Sequence, residues 1–275
     1  MDRIDPSDRM DRRGFLGGLA TASLAVGAAL SVPSVARAAP KPVTARGFRL
    51  VIDPGHGGEN YGCRAHDGSV DEKQLTLVLA QRLATRVHTL MPHAEILLTR
   101  DGDETLRLSQ RIGFANAAEA DLFLSLHCNA SPHADQVGFE TFLLDLEASS
   151  TEAALTAQRE NDEGFARPTR REDDEVSVML RELGLTQDRK QAAHYARAIQ
   201  REQARRFPGR PDRGVRQAAF DVLKGARMPA VLHEVGFLDH AQEGAMLLND
   251  GGQGEIVESI AHATLTYFNE VVRRS

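Results

Sequence analysis

Phe48-Arg-Leu-Val-Ile-Asp53 is a short apolar run that stops at Pro54-Gly55 and leads into His56-Gly-Gly58. A run of this length, closed by Pro-Gly, reads as a β-strand entering a tight loop. Working outward, Leu75, Leu79, Leu83, Val87 and Leu90 fall at helical spacing between Glu72 and Pro92. Ile96–Thr99 reads as a second strand, and 106–118 as a helix with Leu108, Ile112 and Ala115 on one face. Asp121–His127 is a nearly continuous apolar run, the pattern of a strand buried on both faces. Further strands are expected at Gly138–Leu144 and Ala230–Glu234, and helices at Arg189–Phe207 and Glu255–Val272. This alternation predicts one α/β domain over residues 47–275, with a mainly parallel central sheet flanked by helices on both faces.

Composition narrows the function. The 275 residues carry a net charge of −6 and no Trp, so there is no basic footprint for nucleic acid and little aromatic surface for stacking on sugars or bases. Two cysteines, Cys63 and Cys128, cannot build a disulfide framework or a cysteine-rich structural zinc site. Free thiols are the preferred reading, although a disulfide is permitted in an exported protein.

Residues 1–38 read as an address. Asp11-Arg-Arg-Gly-Phe-Leu16 precedes a Gly/Ala-rich apolar stretch running to Val35, and Ala36-Arg-Ala38 is an A-x-A cleavage signature. The paired arginines and weak hydrophobicity resemble a twin-arginine export signal, with Asp11 where that motif usually has Ser or Thr. The alternative is an uncut membrane anchor, for which four Gly, many Ala and Pro33 make a poor spanning helix. The expectation is an exported or periplasmic protein with no stable membrane span after cleavage, and residues 39–46 as a short linker.

Four short pieces carry chemistry. His56 and His127 lie at or just beyond strand ends, Glu234 ends the Ala230 strand, and Glu72 opens a helix. Ligand sites of open α/β sheets collect at such strand ends, and a carboxylate is favoured in the first turn of a helix. Two imidazoles and one carboxylate are a common catalytic zinc set, with a position left open for water. A further carboxylate is then available to handle the proton. His233 alternates away from the side of Glu234 and reads as structural. His66 and His133 lie in loops, where substrate contact, support of a ligand and plain surface exposure all remain open. Asn129 either places a substrate amide or sugar or closes a turn.

The segments Ile52-Asp-Pro-Gly-His-Gly-Gly58, Glu72-Lys73, Leu98-Thr-Arg-Asp101, 111–116, 121–130, Gly138–Leu144, Gly214–Leu223 and Met228–Leu238 resemble the zinc-dependent N-acetylmuramoyl-L-alanine amidases of bacterial cell-wall remodelling. They occur in family order over roughly residues 47–270. The resemblance implies one Zn2+ per chain held by His56, Glu72 and His127, with Glu234 as the catalytic carboxylate. It also implies cleavage of the amide between N-acetylmuramic acid and L-alanine of the peptidoglycan stem, in cell-wall remodelling and daughter-cell separation. Two alternatives stand beside it: another zinc peptidase acting within the stem peptide, and a non-catalytic wall-binding module.

Residues 146–190 interrupt the pattern. Ser149-x-x-Glu152 reads as a capping box opening a helix of about three turns. The stretch 167–174 reads as a charged loop, and Val176, Met179, Leu180 and Leu183 as a small amphipathic helix. Some members of the resembled family carry such an insertion as an autoinhibitory helix whose glutamate occupies the open zinc position. Ala157-Gln-Arg-Glu160-Asn161 is similar to that element, making Glu160 the expected plug, with Asp162 and Glu163 as fallbacks. An activator protein that displaces the helix is the partner this implies.

Overall fold

The computed structural model describes residues 47–162 and 175–273; the export signal, the linker at 39–46, Glu163 and the charged loop 167–174 lie outside the described residues. Its elements in chain order are β1 (Arg49–Pro54), α1 (Glu72–Leu90), β2 (Glu95–Leu98), α2 (Leu108–Ala117), β3 (Leu122–Asn129), β4 (Phe139–Leu144), α3 (Thr151–Glu160), α4 (Glu175–Arg206), β5 (Asp212–Ala218), β6 (Ala230–Phe237), α5 (Ala241–Leu248) and α6 (Asp250–Tyr267). A short π-helical turn, Phe268–Val272, follows α6.

The strands form one six-stranded sheet in the order β2-β1-β3-β6-β4-β5. The first four run parallel, β4 and β5 are parallel to each other, and the β4–β6 pair is antiparallel. Successive side chains of a strand point to opposite faces, and this divides the core in two. Leu50, Ile52, Leu124, Leu126, Cys128, Val231 and Val235 pack with α1, α4 and α6 on one face. Val51, Phe123, Phe142 and Leu232 pack with α2, α3 and the turn at Asp221–Leu223 on the other. The inward stripe of α1, Leu75, Leu79, Leu83 and Val87, is buried; each such side chain contributes about 1.5–3 kcal/mol on leaving water.

The strands and helices expected from apolar patterning are present. β5 and α5 were not expected. β5 reads Asp-Arg-Gly-Val-Arg-Gln-Ala, an edge strand whose polar residues hide its period. α6 starts at Asp250, five residues before the expected start, because the Asn249 side chain accepts from the amides of Gly251 and Gly252 and caps a glycine-rich first turn. The backbone of 175–206 is one helix, so the expected short helix at 176–183 is continuous with α4. The cap of α3 also differs. Ser150, not Ser149, accepts from the Ala153 amide at 3.1 Å, while the Ser149 hydroxyl accepts from the amide of Gln217 on β5. Glu152 turns away to Arg213 and Arg216. Among the described residues no helix is long and apolar enough to cross a membrane.

Candidate metal centre

Strand register sets the site. His127 on β3 lies opposite Glu234 on β6, and Glu234 lies opposite Glu140 on β4. These three acidic and imidazole side chains share the sheet face that carries Phe123, Phe142 and Leu232, since they alternate in step with them. A register shift between His127 and Asn129 breaks the β3–β6 ladder just beyond the row; such irregularities re-aim side chains beside active sites.

The loop after β1 brings His56 over this row. His56 has φ 60, a left-handed conformation that costs a non-glycine residue energy and is held only where its surroundings determine it. Two buried arginines do so. Arg111 on α2 donates to the carbonyls of Pro54 at 2.8 Å and His56 at 2.5 Å and to Asp53 Oδ1 at 2.8 Å. Arg100 donates to Pro54 and Gly55 carbonyls at 3.0 and 2.9 Å and to the Lys73 carbonyl at 2.8 Å, tying the loop to α1. Gly55 is required by close approach: a Cβ there would lie 2.5 Å from the His127 ring.

Four ligand atoms converge. His56 Nε2 lies 3.0 Å from Glu72 Oε1 and 3.2 Å from Glu160 Oε2. His127 Nδ1 lies 3.3 and 2.8 Å from the same two oxygens. The four atoms all fall within 4.8 Å of one another. Yet His56 Nε2, His127 Nδ1 and Glu160 Oε2 have no hydrogen-bond partner of proper geometry among the described residues, although all are buried. Buried polar atoms aimed at a common point without bonding one another are what a metal site leaves between its ligands. Two ligands each 2.0–2.1 Å from a tetrahedral zinc lie about 3.3 Å apart, close to these separations. The donor set therefore fits zinc.

The supporting bonds select the ligating atoms. His56 Nδ1 meets Asn60 Oδ1 at 2.9 Å, so Nδ1 is the donor and Nε2 is the nitrogen left to face a metal. Glu72 accepts from the Cys128 amide on Oε1 at 2.8 Å and from the Cys63 amide on Oε2 at 3.0 Å, bonds that favour its ionised form. Burial opposes charge on the imidazoles, but the carboxylates of Glu72 and Glu160 outweigh it: His56 is held well above its ordinary value and His127 is raised to about 10. Burial likewise works against ionised Glu160, yet the two histidines bring it down to about 2.

Glu234 stands apart from this set. It is fully buried, and neither carboxylate oxygen has a hydrogen-bond partner among the described residues. Burial, reinforced by the negative charges of Glu160 and Glu72, raises its pKa well above the usual carboxylate range. A carboxyl group so placed is suited to exchange protons near neutral pH.

The structure thus brings together His56, Glu72, His127 and Glu160, with Glu234 beside His127. Asn129 is near but engaged: Nδ2 donates to Glu140 at 2.7 Å, and Oδ1 accepts from Arg159 of α3 at 2.6 Å and from the Ala130 amide at 2.9 Å. His66 and His133 are exposed. His233 points to the opposite face, between Gln203 and Thr141. Cys63 and Cys128 are free thiols. Asp53, Asn60, Arg100, Arg111 and Glu140 escaped sequence reasoning as parts of the site. The arginines left a trace, since Arg111 falls one residue before the inward Ile112 of α2.

Known proteins share this sequence pattern and fold. Residues 50–265 match the family model described as N-acetylmuramoyl-L-alanine amidase. The N-acetylmuramoyl-L-alanine amidase AmiA of Escherichia coli is 30% identical over 236 residues, covering 84% of this chain and 80% of that protein. Its Salmonella typhimurium counterpart is 31% identical over the same shares. The catalytic domain of the amidase CwlV from Bacillus (Paenibacillus) polymyxa superposes with a TM-score of 0.59 at 26% identity, covering 81% of this chain and 98% of that one. A family match across most of the chain, carried on the same fold, means that this protein belongs to the N-acetylmuramoyl-L-alanine amidases and is a peptidoglycan-cleaving hydrolase.

Proposed function

We propose that this chain is a zinc-dependent amidase whose active site is closed by its own insertion helix. The observation that carries the reading is the convergence of His56, Glu72, His127 and Glu160, three from the scaffold and one from α3. His56, Glu72 and His127 would hold the metal. When bound, zinc supplies a Lewis acid for the scissile carbonyl and a water whose pKa falls to about 7. Glu234 takes the proton of the attacking water and returns it to the departing amine of L-alanine, acting as base and then as acid. Its buried, unpaired carboxylate suits that task, because no ion pair holds it ionised. Asn129, freed of Arg159, would offer its side-chain oxygen to a substrate amide or sugar.

Glu160 fills the position that water needs. α3 is attached mainly by polar contacts: Arg159 to the Asn129 side-chain oxygen and the Ala130 carbonyl, Asn161 to the Ala219 carbonyl and Asp221 amide, and Glu152 to Arg213 and Arg216. Its buried apolar side chains are alanines, Ala153 and Ala157. An activator protein that competes for these polar contacts would release the helix without opening a large core. Export by the residues 1–38 signal and action in daughter-cell separation belong to the same reading.

Glu160→Ala should raise basal hydrolysis of purified peptidoglycan at least about tenfold, with about one zinc per chain retained and chelation abolishing activity. Products should be intact glycan and peptides with a free L-alanine amine. An unchanged basal rate would remove Glu160 as the plug; a cut within the stem would favour the peptidase reading.

A further inference from the structure

Two arginines beside the catalytic row face a carboxylate supplied by the insertion helix. Arg213 and Arg216 of β5 both contact Glu140, at 3.2 and 2.8 Å. Both also contact Glu152 of α3, at 3.1 and 3.3 Å. Glu140 is buried and is the register partner of Glu234. Adjacent strands lie about 4.8 Å apart, so the arginines, one strand beyond Glu140, sit roughly 10 Å from the catalytic carboxylate.

Charge counting shows what this corner lacks. Two guanidinium groups face one resident carboxylate, Glu140, and the second carboxylate is Glu152, whose own side chain is 56% exposed. Remove α3, and the corner keeps one uncompensated positive charge beside the reaction centre. Arginine holds carboxylates through paired, planar donors, so the vacated place suits a carboxylate of the incoming substrate.

We propose that Arg213 and Arg216 form a subsite for a free carboxylate of the stem peptide, and that Glu152 occupies this subsite while Glu160 occupies the metal position. The first half concerns specificity for the amidase reaction; the second half rests on the proposed inhibitory role of α3. The spacing is consistent with both. Glu152 and Glu160 are eight residues apart on one helix, about 12 Å along its axis. An extended peptide covers that distance in about three to four residues. Because the side chain that carries the carboxylate supplies part of this reach, the recognised carboxylate lies on the second or third stem residue, counted from the alanine at the scissile bond. α3 acts as a two-point acidic mimic of the stem.

The test uses synthetic muramoyl tripeptides that carry either a carboxylate or a carboxamide at residue two, and a matched pair at residue three. The full chain and Glu160→Ala are assayed in parallel. The unmodified arginines should favour the acid at one of these positions by about tenfold or more in kcat/KM, expressed mainly in KM. Arg213→Gln and Arg216→Gln should bring that ratio close to one with kcat little changed, and Arg216→Lys should keep part of it. Equal cleavage of acid and amide by the unsubstituted chain would overturn the subsite, even if the glutamine variants failed to fold. Persistence of the preference in folded, zinc-loaded glutamine variants would overturn the assignment to these arginines. Glu152→Gln should raise basal turnover several-fold without altering the acid-to-amide ratio; an unchanged basal rate would overturn the mimicry. If Glu160→Ala leaves basal turnover unchanged while the acid preference holds, the plug fails and the carboxylate subsite stands.

Discussion

At the scale of single residues, the proposed mechanism assigns metal binding to groups held in place and proton transfer to a group left unbonded. His56, Glu72 and His127 are each oriented by a loop, a strand or two backbone amides, whereas Glu234 is buried and unbonded. Glu234→Ala should therefore retain near-stoichiometric zinc, measured by elemental analysis, while hydrolysis falls by about 10²-fold or more. Loss of the metal in that variant would make Glu234 a ligand. Asp53 makes a different contribution. Burial would raise its pKa, but Arg111, Thr99 and Ser125 outweigh it and lower it. Asp53→Asn leaves Arg111 buried without its carboxylate and should cost about 3–5 kcal/mol in urea unfolding. Because Arg111 also holds the His56 carbonyl, zinc affinity should fall as well. Neither Asp53 nor Arg111 could be placed in the site from sequence. Each lies in an expected strand or helix, and only their meeting under the His56 loop gives them a role.

At the scale of elements, α3 and β5 decide how the site is presented. Ala153 and Ala157 of α3 pack into the same cluster as Phe142 and Phe220. Excising residues 147–185 would remove these two alanine contacts and cut into α4, so its effect on activity would be mixed with lost stability. Glu160→Ala removes the ligand and keeps the packing, which makes it the cleaner probe. The close approach of the His56 loop to β3 offers a second probe. Gly55→Ala should displace the His127 ring and lower zinc content, measured by metal analysis, while far-ultraviolet circular dichroism stays native. The apolar elements were legible because their periods are strong: Leu75 to Val87 in α1 and Leu122 to Leu126 in β3. β5 was not, because an edge strand can carry Arg213, Arg216 and Gln217 without burying a regular face. The cap of α3 was misplaced by one residue because two serines compete there, and the strand partner of Ser149 settled the choice.

At the scale of the molecule, the sheet separates chemistry from stability. The face with His127 and Glu234 carries the site; the opposite face carries His233, Cys128 and the packing of α1, α4 and α6. Burial holds His233 neutral and takes its pKa down to about 3, even though the Glu140 carbonyl opposes the shift. In the unfolded chain the ring takes up a proton near pH 6.5. Below that pH the unfolded state binds a proton that the folded state refuses, so this residue's contribution to stability falls as pH drops from about 6.5 towards 3. His233→Gln should be less stable at pH 7, and the stability gap between it and the unsubstituted chain should narrow between pH 6.5 and 4.5. A constant gap in urea midpoints would show that the folded chain takes up this proton as readily as the unfolded one.

The sequence by itself determined the α/β class, the main strands and helices, and the residue types offered to the site, because periodicity and turn chemistry are local properties. It also set Glu160 within a helix of the insertion. Only the tertiary structure decided which of these residues meet. Strand register aligned His127, Glu234 and Glu140 in one row; the buried arginines bent the His56 loop over it; and the docking of α3 brought Glu160 to the histidines and Glu152 to Arg213 and Arg216. These are long-range pairings between segments up to about one hundred residues apart in the chain. No local pattern encodes them, since the free energy that selects them comes from burial and charge pairing across the whole sheet.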